Sequence, residues 1–382
     1  MPVYTVKTLA GLEAVCAKEI VDLGYPNVEI RTRAVQVEAP ERFLCEANYR
    51  LYTAISVLET ILSGSLRQPR DLYNQLAAIP WDQYMDQQQT FAFKGHVSST
   101  FFNNSIYAMQ LAKDALVDYF RSKYGKRPSV DRDHADHHFV LRVNEEKFEL
   151  SRDASGAPLF QRGYRQQTGR APLNEVLAAG IIKSMGWDSS RPLIDPMCGS
   201  GTFIIEAARM ARNMPAQMHR KQFALFHWPE FQQDLWAEIV EKANAAIIQA
   251  PEALLMGADQ DGRVVEIART NAQSAGVDTI TQWKQVAFQQ LQTPWPDPVL
   301  IMNPPYDIRL QHRAIEQFYS DIGTVLKHQF APCEAWLFSA NPEAMKAIGL
   351  RPSRKIALYN GQLPAQLRQF VIFAGKRKDQ YD

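Results

Sequence analysis

Asn303-Pro304-Pro305-Tyr306 is the stretch of this chain whose residue types restrict chemistry most. It follows Val299-Leu300-Ile301-Met302, an apolar run that predicts a buried strand. Neither proline offers an N–H, and each fixes its own φ and biases the residue before it toward extended backbone. The Asn303 side chain and a neighbouring backbone carbonyl can then converge on one small group with two N–H donors, an exocyclic amine. The Tyr306 ring just beyond can stack on a flat base. A nucleobase amine is a poor nucleophile because its lone pair is delocalised into the ring. Acceptors held in fixed positions favour the pyramidal nitrogen of the transition state. A Pro-Pro turn can also be purely structural.

A second constellation lies upstream, Asp195-Pro196-Met197-Cys198-Gly199-Ser200-Gly201-Thr202. It reads as a turn between a strand and a helix, at the carboxyl end of a strand, where open α/β sheets bind ligands. Gly199 and Gly201 allow close approach of backbone to a ligand, and Thr202 is placed to cap the helix. No Lys follows Gly201, which argues against a P-loop and leaves an S-adenosylmethionine (SAM) or dinucleotide turn. Beside the Asn303 turn, the pair reads as a SAM site next to an amine-methylating site. Displacement from a sulfonium needs mainly alignment, so no metal or covalent nucleophile is called for.

Asp259, in Met256-Gly257-Ala258-Asp259-Gln260-Asp261, supplies an acid at the next strand end that can accept both ribose hydroxyls. It lies 64 positions after Asp195, further than in a tight βαβ unit, so residues 214–234 read as an insertion. Asp261 reads as a helix cap. The aromatic residues of Phe223 to Trp236 read as core or lid. His134, His137 and His138 have a spacing that could hold a metal, but a polar approach to a hairpin accounts for them equally well.

These residues need elements to position them. Pro2–Thr8, Leu12–Leu23 and Val28–Glu38 predict a strand, a helix and further strand, a small α+β unit over residues 1–65. A second α+β unit over 66–165 holds a strand at Phe91–Val97, a helix at Ile106–Tyr124 and a hairpin of Phe139–Val143 with Lys147–Leu150. From 166 to 382, strands (192–195, 254–259, 299–303, 335–339, 355–359, 370–374) alternate with helices (202–213, 235–249, 263–275, 314–330). That alternation predicts an α/β fold with a mostly parallel sheet. The last two strands leave no room for a helix between them and are expected to be antiparallel.

At 382 residues, 46% of them hydrophobic, the chain can fill two or three ordinary cores. No apolar run reaches the roughly 18 residues of a membrane span, and the start lacks the layout of a signal peptide. Cys16, Cys45, Cys198 and Cys333 form no metal or redox spacing, so a reducing cytoplasm is expected. Net charge is only +1, yet basic residues cluster locally. Arg121, Lys123, Lys126, Arg127 and Arg132 form one group, Arg162, Arg165 and Arg170 another, and Lys346 to Lys378 carries eight basic residues and no acid. Such patches suit RNA phosphates, and each alone equally suits a solvated surface.

Over nearly its whole length the chain resembles the THUMP-domain SAM-dependent RNA methyltransferases, of the RlmL/YpsC type that methylates guanine N2 in 23S rRNA. The likeness rests on Gly11-Leu12-Glu13, Asn104-Ser105-Ile106 through Lys113-Asp114-Ala115, and Arg127-Pro128-Ser129-Val130-Asp131. It continues through Arg162-Gly163-Tyr164-Arg165, Thr168-Gly169, Ala171 to Glu175, the Asp195 and Asn303 motifs, Trp228-Pro229 and Leu358-Tyr359-Asn360-Gly361. It implies ferredoxin-like and THUMP domains followed by a Rossmann-like class I methyltransferase sheet with an antiparallel last strand. It also implies roles. Asp195, Pro196, Gly199, Gly201 and Thr202 line the methionine end of SAM, and Thr168, Ala171 and Pro172 close over it. Asp259 holds the ribose, Gln260 meets the adenine, Asn303 and the Pro304 backbone take the target amine, and Pro305 and Tyr306 complete the base site.

Two departures stand out. Ala287 sits where the family carries an acid facing the adenine amine, so Gln289 or backbone is expected to substitute. Asp307-Ile308-Arg309 replaces the family's Gly-Glu-Arg, and Arg309 is kept, counted with the RNA-binding residues. Longer fused relatives carry a second methylase, an activity expected to be absent here. Rivals are a THUMP tRNA guanine-N2 methylase, a DNA adenine-N6 or release-factor glutamine methylase, and an RNA-binding assembly factor without catalysis. A guanine in paired RNA must be unstacked to be methylated, which points to an unpaired or partly assembled RNA as substrate.

Overall fold

The computed structural model describes residues 1–165, 173–249, 251, 254–305 and 312–374. They build two sheets. The first uses β1 (Val3–Lys7), β2 (Val28–Arg31), β3 (Ala34–Glu38), β4 (Ser56–Ser65), β5 (Thr90–Ser98), β6 (Ser129–Val130), β7 (His137–Asn144) and β8 (Lys147–Asp153), in the order β2-β3-β1-β4-β8-β7-β5-β6. The two α+β units expected from sequence thus share one sheet, because β4 pairs with β1 on one side and β8 on the other. Sequence reading draws no strand over 56–65. A register shift between Thr60 and Leu62 breaks the alternation there.

Register sets the faces of this sheet. Tyr4, Glu59, Arg152, Phe139 and Phe93 form one row across five strands. Helices α1 (Glu13–Asp22) and α2 (Arg42–Arg50) cover this face at one end, packing Cys16, Ile20 and Phe43 on Tyr4, Val6, Val35 and Val37. At the other end α3 (Pro69–Ala77) and α4 (Ser105–Tyr124) pack Leu72, Leu76, Leu116 and Phe120 on Phe139, Leu141 and Val143. Asn104 starts α4 by accepting from the Tyr107 N–H at 2.9 Å, and Gly125 ends it at φ 69°.

The second sheet uses β9 (Leu193–Asp195), β10 (Leu255–Asp259), β11 (Thr281–Gln285), β12 (Val299–Met302), β13 (Cys333–Ser339), β14 (Arg354–Asn360) and β15 (Leu363–Ile372), in the order β11-β10-β9-β12-β13-β15-β14. All neighbours run parallel except β15, antiparallel to β13 and β14. Around it lie α5 (Glu175–Met185), α6 (Thr202–Ala211), α7 (Gln233–Ala245), α8 (Gly262–Ser274) and α9 (His312–Gln329). Two elements escape sequence reading. Thr281-Gln-Trp-Lys-Gln of β11 is polar because it is an edge strand. Helix α5 is buried on nearly every side and so lacks an amphipathic period.

The 214–234 insertion and α7 join the two halves. Phe223, Leu225, Trp228, Ile239 and Ala243 enter the core formed by β1, β3, α1 and α2, and Trp236 meets Tyr49 edge-on at 5.6 Å. Arg152 of β8 pins the join. Its Nε donates to Glu59 Oε2 at 2.8 Å, its Nη2 donates to Glu230 of the insertion, and its guanidinium lies 3.5 Å from the centre of the Trp228 ring. Removing one partner from such a buried set strands the others, so Arg152→Ala is expected to cost about 3 kcal/mol, read as a lowered urea midpoint.

Candidate active site

Three parallel strand ends, those of β9, β10 and β12, deliver Asp195, Asp259 and Asn303 to one cleft of about 1190 Å³. After Asp195 the backbone turns through Gly199 (φ 50°) and Gly201 (φ 84°) into α6. These left-handed values favour glycine. A Cβ on Gly199 would meet no atom within 4 Å, so this backbone faces open space at the cleft. A Cβ on Gly201 would lie 2.6 Å from the Trp283 ring, and one on Gly257 2.3 Å from it. Trp283, on β11, therefore seats the turn and β10 from below, and both glycines are required for that packing.

Asp195 is buried, and its Oδ1 accepts from the Met197 N–H at 3.1 Å. Burial pushes its carboxyl up to about 8, with the nearby Asp259 adding to the rise. The Asp259 carboxylate accepts from the Gly199 N–H at 3.1 Å and the Asp261 N–H at 3.0 Å, tying the glycine turn to the end of β10. A carboxylate has about four lone-pair sites, so acceptor capacity is left for a ligand. Asp261 caps α8, accepting from the Arg263 N–H at 2.9 Å, as its position in the sequence suggests.

Asn303 carries the clearest signal. Its Oδ1 is buried and has no hydrogen-bond partner among the described residues. Pro304 is buried behind it, and Pro305 is exposed. Pro196, Thr202, Gln260, Pro304 and Pro305 also line the cleft. An open glycine cradle, two acids and an unmatched acceptor at one end fit a nucleoside-bearing methyl donor beside an amine.

Some expectations are corrected. Thr202 does not cap α6; Gly201 holds the cap position, and the Thr202 hydroxyl accepts from Arg165 at 3.2 Å. Arg162 and Arg165 are not at an RNA surface. Arg162 is 1% exposed and donates to the carbonyls of Leu159 and Tyr52, with Glu206 at 3.7 Å. Arg165, its side chain 13% exposed, is paired to Glu175 at 2.8 Å. Both guanidiniums are spent inside the protein. In the α4 patch Arg121 pairs with Asp118 and Lys123 with Asp82, while Lys126 and Arg127 are exposed and make no such contact among the described residues. Thr168, Ala171, Pro172, Tyr306 and Arg309 lie outside the described residues. His137 is buried against Gln89, and among the described residues no group of three or more His, Cys, Asp or Glu is placed to hold a metal.

Phe288 after β11, Phe318 of α9 and Leu363 at the start of β15 reach the cleft without a signal in the sequence. Gln289, which with backbone was expected to substitute for the acid missing at Ala287, also lines it.

Family models match in the same order along the chain. A ferredoxin-like domain of RlmL type matches residues 4–58, a THUMP domain 67–153, and an RMKL-like methyltransferase domain 162–369. A Synechocystis sp. protein, provisionally named an RNA methyltransferase, is 33% identical over 97% of both chains. The ribosomal RNA large subunit methyltransferase K/L of Aliivibrio salmonicida is 33% identical over 97% of this chain and 54% of its own, so this chain spans about half that relative's length. The crystal structure of SMU.472, provisionally a methyltransferase and complexed with SAH, superposes with a TM-score of 0.88 at 26% identity, covering 98% and 99% of the two chains.

Two outcomes test the site geometry. Gly257→Ala is expected to cost about 1–3 kcal/mol by overpacking on Trp283, and Trp283→Leu in the same chain is expected to recover most of that loss, as a double-mutant cycle of unfolding midpoints would show. Folding holds a proton on Asp195 that the unfolded chain has released above the ordinary carboxylate range. This group's contribution to stability therefore declines as pH rises from about 4 to about 8. Asp195→Asn is expected to remove that decline, so the stability of the ligand-free variant relative to the parent rises between about pH 5 and about pH 8.

Proposed function

Because this chain belongs to the RMKL-like methyltransferase family, we propose that it methylates the exocyclic N2 amine of a guanine in large-subunit (23S) rRNA, with SAM as donor. The observation that carries this is the unmatched Oδ1 of Asn303 at the end of β12, beside the glycine turn and two acids. The names of the K/L relatives and the THUMP match support RNA as the substrate class.

When bound, SAM supplies an electrophilic methyl group on a sulfonium. The chain's residues hold and align. The Gly199–Gly201 backbone admits the methionine end, Asp195 lies beside it, Asp259 accepts the ribose hydroxyls, and Gln260 with Gln289 faces the adenine. Asn303 Oδ1 and the Pro304 carbonyl accept the two N–H groups of the guanine amine and favour its pyramidal form, which releases the lone pair from the ring. The two prolines keep these acceptors from relaxing away. The family resemblance assigns the base to Tyr306 and the adjoining RNA to Arg309, both outside the described residues. A guanine must leave its stack to enter, so the substrate is an unpaired or partly assembled rRNA. The place of action is the cytoplasm; the four cysteines are buried and unpaired, and among the described residues no helix is long and apolar enough to cross a membrane.

Asn303→Ala is expected to lower labelled-methyl transfer to RNA by about 10²–10³-fold. SAM affinity by calorimetry and RNA affinity should stay at parental values. Retained transfer in this variant would remove Asn303 from the reaction.

A further inference from the structure

The sheet row that ends in Phe93 and Phe139 is covered by helices, and the residues alternating with it point the other way. On β1 these include Lys7, on β7 His138, Val140 and Arg142, and on β5 Lys94 and His96. None of these side chains belongs to a hydrophobic cluster. Lys7, Lys94, His96 and Arg142 are exposed, His138 and Val140 half-buried. Arg33, exposed in the β2–β3 turn, joins them at the β1 end, where its carbonyl accepts from the Thr8 N–H.

On this face Lys94 is paired with Asp153 and Arg31 with Glu29. Lys7, Arg33, His96 and Arg142 make no side-chain hydrogen bond or ion pair among the described residues. That contrasts with Arg121 and Lys123 on α4, which are paired. By register the acids on this face are Glu29, Glu38, Glu149 and Asp153, and Glu13 lies beside them, its carboxylate accepting from the Arg33 N–H at 2.9 Å. Asp153 is 2% exposed and spent on Lys94 Nζ at 2.7 Å and on the N–H groups of Ser155 and Gly156. Glu149, across from Arg142 on β8, forms no ion pair with it. Burial lowers the Lys7 pKa most; attraction from Asp153 opposes that shift, and repulsion from Lys94, Arg33 and Arg142 adds to it.

We propose that this open face is a track for the RNA backbone, binding phosphates through Lys7, Arg33 and Arg142 and leading the strand to the catalytic domain. From β5 to β1 the face is four strand spacings wide, about 19 Å. At the β1 end the chain passes to Gly11, whose position leaves no room for a Cβ: Ala357 O of β14 would be 2.6 Å away. The hairpin partner of β14 is β15, whose Leu363 lines the cleft. The track therefore abuts the sheet that holds the site. It presents no aromatic ring other than the two histidines, so it positions RNA by phosphate contact and leaves the choice of base to the cleft.

This inference rests on RNA being the substrate. The test uses the full chain carrying Lys7→Gln, Arg33→Asn and Arg142→Gln together. Asparagine suits the left-handed backbone at Arg33, φ 58°. Affinity for unmodified large-subunit rRNA transcript is measured against salt. The expected result is a loss of about 10-fold or more at low salt and a log–log salt slope shallower by about 2–3, with SAM affinity and unfolding midpoint unchanged. If the triple variant is unstable, Lys7→Gln and Arg142→Gln alone should each reduce the slope by about 1. Parental affinity and slope in these variants, with the parent still methylating RNA, would overturn the track and leave the proposed function standing. A parent that neither binds nor methylates RNA would overturn both.

Discussion

A buried carbonyl oxygen with no donor costs about 1–3 kcal/mol, and among the described residues Asn303 Oδ1 has none. The cost is borne at the end of β12, where Pro304 and Pro305 prevent the turn from rearranging to satisfy it. The parallel sheet makes this useful. It carries Asp195 and Asp259 to the same edge from the two strands beside β12, so a donor site and an acceptor site open on one cleft. The proposed amine chemistry rests on that unmatched acceptor and its neighbours.

Delivery of a base to this cleft needs a fixed relation between the two halves of the chain. The insertion between α6 and α7 provides it by placing its aromatic residues in the N-terminal core rather than in a core of its own. Arg152 adds a directional contact, joining β4, β8 and the insertion through Glu59, Glu230 and Trp228. The loop after β1 packs against β14 and α5, with Gly11 and Gly180 making room for the approach. Under the proposed function, this join sets the distance between RNA on the N-terminal sheet and Asn303.

Much of this was legible in the sequence because the relevant signals are local. A hydrophobic run followed by Asn-Pro-Pro, a strand followed by Asp-Pro and a glycine turn, and an acid ending a later strand all carry their meaning within a few residues. What escaped depends on residues far apart in the chain. Arg162 and Arg165 look like surface charge until Glu206 and Glu175 fold against them. Leu363 and Phe318 enter the cleft only through the return of β15 and the packing of α9. Trp283 sits in a polar edge strand, and its role beneath Gly201 and Gly257 exists only in three dimensions. The bulge in β4 conceals the strand that makes one sheet of two predicted units.

The central claim is the identity of the methylated atom. It is tested most directly by incubating the protein and labelled SAM with total RNA from cells lacking it, separating the RNA species, and identifying modified nucleosides by mass spectrometry. The account predicts N2-methylguanosine confined to the large-subunit rRNA. Label in N6-methyladenosine, or label confined to tRNA, would contradict it.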